Sequence, residues 1–157
     1  MKKLVMAVMV LALASGCMTM PEFRHSLDPD EQLATYIDEH GKSKNDAFVS
    51  AHAWIAKNFK SAHDVIQMQD KEAGMIVVKA AYIYYISFGD PIMGTQKVPG
   101  TLEYTLSVYL KDQKMKLEFS TGYADSYLPK NQLNLVAYYK RIHDDLVAAV
   151  MAKPADF

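Results

Sequence analysis

The chain has 157 residues, 50% of them hydrophobic and 22% charged, with 17 basic and 18 acidic side chains. That size and balance suit one globular domain with a core of its own, and no internal repeat or low-complexity tract interrupts it. There is no basic run or aromatic–basic cluster to supply the phosphate neutralisation that nucleic-acid binding needs, and the single cysteine, Cys17, excludes an intramolecular disulfide.

Met1-Lys2-Lys3 is a short basic region, and Leu4 to Ala14 is apolar but too short to span a bilayer comfortably. Leu13-Ala14-Ser15-Gly16-Cys17 then resembles a lipobox, the cleavage and lipidation signal of bacterial lipoproteins. The usual leucine at the third position before the cysteine is Ala14 here, with Leu13 one place earlier. The competing reading is an ordinary signal peptide with a stray cysteine. The position of the one cysteine favours lipidation. Residues 1–16 are therefore expected to be a lipoprotein signal peptide, and Cys17 the acylated residue that links the chain to a membrane. The expected location is the bacterial cell envelope. Met18 is not the aspartate associated with inner-membrane retention, which favours the outer membrane.

Residues 17–30 read as the lipidated N-terminus and a tether, with Pro21, Pro29, mixed charges and no sustained period. Asp28, Asp30 and Glu31 lack the EF-hand pattern and its glycine, so a solvated linker or turn is the better account. A single domain is expected over residues 31–153. Leu33 to Glu39 reads as its first strand, with Thr35 and Ile37 on one face and Tyr36 and Asp38 on the other; a helix over Asp30 to Glu39 is the alternative. Gly41 breaks that element. Ser43 is a good N-cap, and Asp46 is placed to reach back as in a capping box. Ala47, Phe48, Ala51, Trp54, Ile55 and Phe59 recur at helical spacing, which predicts a helix from Lys44 to Phe59.

Val65 to Gln69 and Met75 to Phe88 read as strands joined by a turn at Asp70 to Gly74, where Gly74 suits a positive φ. An even-sum register would put Ile66 and Met68 on the face of Ile76 and Val78. Gly89 to Gly100 reads as a loop with Ile92, Met93 and Val98, either a partner surface or, as favoured here, a flap over a core edge. Leu102, Tyr104, Leu106, Val108 and Leu110 alternate with polar neighbours, as do Met115, Leu117 and Phe119. A two-residue turn at Asp112-Gln113 pairs Leu110 with Met115, Val108 with Leu117 and Leu106 with Phe119, leaving one covered face. Asn131 is placed to cap a final helix from Gln132 to Ala152, with Leu135, Tyr139, Ile142, Leu146 and Val150 on its apolar side.

The segments Gly41-Lys42-Ser43-Lys44, Trp54 to Ala62, Val65-Ile66-Gln67 and Asp70-Lys71-Glu72-Ala73-Gly74, ending at Lys79, resemble the DUF4468 family, bacterial domains described as having a TBP-like fold. The likeness covers most of Leu33 to about Ser120. It implies an α+β fold in the order β-α-β-β-β-β-α, an antiparallel sheet of about five strands with two helices on one face. The quoted residues are fold positions, so the likeness carries no catalytic residue, and a TBP-like shape does not import DNA binding.

Chemistry is not legible. His25, His40, His52, His63 and His143 form no HExxH or Cys–His pattern, and neither a nucleophile motif nor a phosphate loop occurs. No catalytic residue, cofactor or metal is expected. His143 with Asp144 and Asp145 reads as a solvated helix face. Most tyrosines read as core, but Tyr85 and Tyr109 fall on the opposite parity and would sit on the open sheet face beside Lys79, Thr105 and Ser107. Lys79, Tyr85, Thr105 and Tyr109 are therefore the candidate ligand-binding residues. The leading expectation is a non-catalytic, lipid-anchored binding module for an envelope protein or glycan. The alternatives are an envelope hydrolase, which requires a concave pocket with a perturbed titratable group, and a structural module that dimerises through its sheet.

Overall fold

A computed structural model of the protein describes residues 21–24, 26–59, 65–90, 92, 94–122, 128–129 and 133–152. The segment expected to be a signal peptide, Cys17 and the predicted cap Asn131 lie outside the described residues. The elements are β1 (Phe23–Arg24), α1 (Pro29–Gln32), β2 (Leu33–Glu39), α2 (Lys44–Asn58), β3 (Ile66–Asp70), β4 (Met75–Asp90), β5 (Gly94–Lys111), β6 (Lys114–Ser120), β7 (Leu128–Pro129) and α3 (Leu135–Met151). β2 to β6 form an antiparallel sheet in the order β2-β6-β5-β4-β3, and β1 pairs with β7 in a separate two-stranded sheet. From β2 onward the main sheet and the two long helices follow the expected β-α-β-β-β-β-α order. The short pair β1–β7 and the single-turn helix α1 are additions to it.

Alternation along the strands builds the core. Ile76 and Val78 of β4, the even residues from Leu102 to Leu110 of β5, and Met115, Leu117 and Phe119 of β6 are buried. Ala47, Phe48, Ala51 and Ile55 of α2 and Leu135, Tyr139, Ile142, Leu146 and Val150 of α3 complete the core. The Phe119 and Tyr139 rings stack with centroids 4.6 Å apart. α2 starts where expected: the Ser43 hydroxyl oxygen accepts from the Asp46 N–H at 3.2 Å and donates to the Asp46 carboxylate at 2.7 Å. Asp112, in the β5–β6 turn, accepts from the Lys44 N–H at 2.8 Å, so one hairpin tip caps the helix packed beside it.

Four expectations need correction. First, the four-residue loop Lys71–Gly74 pairs Asp70 with Met75, an odd-sum register, so Met68 faces Val77 and is exposed. A bulge between Ile66 and Met68 then brings Ile66 back opposite Val78. Second, Gly89 to Gly100 is largely strand: β4 continues to Asp90 and β5 begins at Gly94. Third, α3 starts at Leu135, later than Gln132, with the Asn134 side chain accepting from the Ala137 N–H at 3.1 Å. Fourth, the segment read as tether is partly folded. Phe23 and Arg24 pair with Pro129 and Leu128, Leu27 is buried, and Arg24 reaches the buried Glu31 carboxylate at 2.7 Å. That ion pair, strengthened by Asp28 at 3.2 Å, ties the entering chain to the core.

Candidate functional site

The four candidate residues all point to the face of the sheet that the helices leave open, but they do not converge. Lys79 and Thr105 are direct cross-strand partners, and Lys79 also pairs with Glu103 at 2.8 Å. Tyr85, opposite Pro99, is six residues further along β4, roughly 20 Å at strand rise. Tyr109 lies the other way, opposite Met75, with the Lys116 ammonium 4.5 Å above its ring. Lys116 in turn bonds Glu118 at 2.9 Å, which raises the lysine pKa and lowers that of the carboxylate. The central open face is thus crossed by internally paired charges.

Beyond that centre the sheet narrows. β3 pairs with β4 only as far as Val78, and β6 pairs with β5 only from Thr105. Residues 79–90 and 94–104 therefore run on as a two-stranded ribbon with no further strand beside them among the described residues. Its inner face is packed: Tyr82 and Tyr138 have ring centroids 4.7 Å apart. Tyr84 lies across Gly100, where an added Cβ would come within 2.4 Å of the ring. That close approach explains the glycine. Its outer face carries Ile83, 61% exposed, and Tyr85, 55% exposed.

The side of β4 away from β5 also forms a groove. One cavity of about 470 Å³ is lined by Phe59, Val65, Gln67, Lys79, Ala81 and Tyr138, among others. A second, of about 570 Å³, is lined by Ala81, Tyr82, Ile83, Ala137, Tyr138 and Arg141. The two share Ala81 and Tyr138, so they form one trough between the β4 edge and α3. The Arg141 guanidinium sits over the Tyr138 ring, 5.4 Å from its centroid.

The other polar cluster joins β2 to α3. His143 Nε2 contacts Asp38 at 2.7 Å and Nδ1 contacts Asp144 at 2.8 Å, while its ring stacks on Tyr36 at 4.5 Å. Lys140 bonds Asp144 at 2.7 Å. His143 is therefore a fastening between layers, where the sequence suggested a solvated face. Burial raises the Tyr104 and Tyr139 pKa values, as it does for core phenols. Among the described residues no group of three or more His, Cys, Asp or Glu is placed to hold a metal, and no helix is long and apolar enough to cross a membrane.

Sequence reasoning missed the trough and Arg141. A signal was present: strands of unequal predicted length, five residues before the turn and fourteen after it, must leave one strand overhanging.

An antiparallel sheet backed on one face by two long helices, with the long hairpin at its centre, defines a mixed α+β domain of TBP-like shape. The family model described as "Domain of unknown function (DUF4468) with TBP-like fold" matches residues 34–122, and the chain belongs to that family. Among solved structures it is similar to a DUF4468 family protein from Bacteroides ovatus ATCC 8483, at 13% identity and TM-score 0.56, covering 84% of this chain and 94% of that one. It is also similar to a TBP-like protein from Parabacteroides distasonis ATCC 8503, at 13% identity and TM-score 0.55, covering 80% of this chain and 96% of the other. No curated protein matches the chain.

Proposed function

We propose that the protein is a non-catalytic binding module, anchored to the bacterial outer membrane by a lipid on Cys17, that presents the β4–β5 ribbon to a protein partner. The observation that carries this reading is the overhang: a ribbon with Ile83 and Tyr85 solvent-exposed on its outer face. Exposed apolar side chains beside open strand edges invite association. Ala81, Glu103 and Thr101 surround them with small or polar side chains, as in the polar rim of a docking surface. The hydrolase reading has less behind it, because the His143 cluster is spent on fastening β2 to α3 and the trough holds a lysine–glutamate ion pair.

The experiment is crosslinking in intact cells followed by purification of the full chain. The wild type should capture a discrete partner, and the Ile83→Ser/Tyr85→Ser double variant should lose it while keeping its thermal melting curve. Equal capture by both would refute the ribbon. A Cys17→Ser variant should move from the membrane fraction to the soluble one; retention in the membrane would refute the anchor. A tyrosine-dependent glycan hit in an array, with no protein captured, would replace the protein partner with a glycan.

A further inference from the structure

We infer that the trough beside β4 receives an extended, acidic peptide segment of the partner, which adds to the sheet as a strand in line with β3. This rests on the binding-module reading and specifies how the partner is held.

The backbone carries the argument. The Leu110 N–H donates to the Gly74 carbonyl at 2.7 Å, which fixes the hydrogen-bonding parity of the β4–β5 ladder. Even-numbered β4 residues bond to β5, and odd-numbered ones turn their N–H and C=O the other way. Met75 and Val77 spend theirs on β3. Ala81, Ile83 and Tyr85 lie past the start of β3 and have no strand opposite them among the described residues.

The β5 edge of the same ribbon behaves differently. Pro99 sits there at an odd position, so the N–H it lacks is one that would face outward. One edge is blunted against strand addition by Pro99, whereas residues 79–90 on the other contain no proline. On β4, consecutive residues Ala81, Tyr82 and Ile83 line the trough, which is how a strand looks edge-on. A backbone running along the trough would meet the outward groups in antiparallel register, as peptides do when they extend a sheet.

Charge selects the segment. Arg141 stands on the α3 wall of the trough, stacked on Tyr138. Its described contact is with that ring, and its N–H fork keeps the geometry that receives a carboxylate. Lys79, nearer β3, is already engaged by Glu103. An acidic side chain, or a terminal carboxylate, placed opposite Ile83 would meet Arg141. A second copy of this chain paired through the same edge is the rival occupant, and the test below separates the two.

The test pans a displayed library of short random peptides against the full chain in detergent, followed by anisotropy titration of the recovered peptides. Recovered sequences should be β-branched with at least one acid. N-methylation of alternate backbone nitrogens should weaken binding by about tenfold or more, the scale of one or two lost backbone hydrogen bonds. Arg141→Gln should cost about fivefold, and less at high salt. Ile83→Pro should abolish binding. Because that variant can fail to fold, N-methylated peptide on wild-type protein is the deciding arm. Binding that ignores N-methylation, or no enrichment at all, would overturn the strand-addition model. So would a dimer dispersed by Ile83→Pro, which would assign the edge to a second copy. Crosslinked capture lost in Ile83→Ser/Tyr85→Ser, with N-methylation tolerated, would overturn strand addition while leaving the binding module standing.

Discussion

Replacing Gly74 by alanine tests the central hairpin directly. Gly74 has φ +69°, and a Cβ built on it would lie 2.2 Å from the Leu110 carbonyl oxygen, a backbone atom. Two costs follow. The left-handed conformation costs a non-glycine residue about 1–2 kcal/mol. Relieving the overlap requires roughly an ångström of movement between β4 and β5, comparable to overpacking a core at about 1–3 kcal/mol. Reduced freedom of the unfolded chain returns about 0.4–1 kcal/mol. The net loss expected is about 3 kcal/mol, or on the order of 6–12 °C in melting temperature for a chain of this size. Gly41→Ala is the control: its φ is +68°, but nothing lies within 4 Å of the added Cβ, so only the conformational cost remains, about 1 kcal/mol net. Urea titrations followed by far-UV circular dichroism would measure both. Equal losses at the two glycines would show that the steric contact at Leu110 carries no weight.

Two further predictions concern charge. Glu31→Ala strands the guanidinium of Arg24, whose side chain is only 18% exposed, and should cost about 3 kcal/mol, the low end for breaking a buried pair since Asp28 still touches Arg24; an Arg24→Met/Glu31→Leu double variant should recover most of that loss in the same urea assay, and no recovery would argue against the buried-charge explanation. Asp144 is held below its ordinary pKa by the hydrogen bond from Lys140 and then that from His143. A lowered folded pKa means stabilisation that is present above the unfolded value and lost as pH falls through the folded one. The stability gap between wild type and Asp144→Asn should therefore close below about pH 4. The same contact raises the Lys140 pKa, so the gap should close again in strong alkali, as pH rises through the raised value; a gap independent of pH would exclude the Lys140–Asp144 pair as its source.

Much of this domain was legible in the sequence because its determinants are local. Ser43 caps α2 since a side-chain hydroxyl three residues before Asp46 reaches its N–H without help from the rest of the fold. The alternation from Leu102 to Leu110 and from Met115 to Phe119 set the β5–β6 register, because strand periodicity admits one covered face. Gly74 announced its positive φ by being the glycine in a short turn. The resemblance to DUF4468 rested on those same positions.

Other features depend on contacts between distant segments. Phe23, Arg24 and Leu27 carry too little local pattern to suggest structure; Leu128, Pro129 and Glu31 give them their partners. The β3 register followed from loop geometry and a bulge, which a period-two pattern cannot encode. His143 found Asp38 across 105 residues of chain. The binding surface is of this kind too. Lys79, Tyr85, Thr105 and Tyr109 share a face by parity, which sequence supplies, but whether they gather at one point depends on how far each strand is paired. β3 and β6 stop short, so the exposed face runs on into a ribbon, and only the packing of α3 beside it turns the overhanging part of β4 into a trough with Arg141 on its wall.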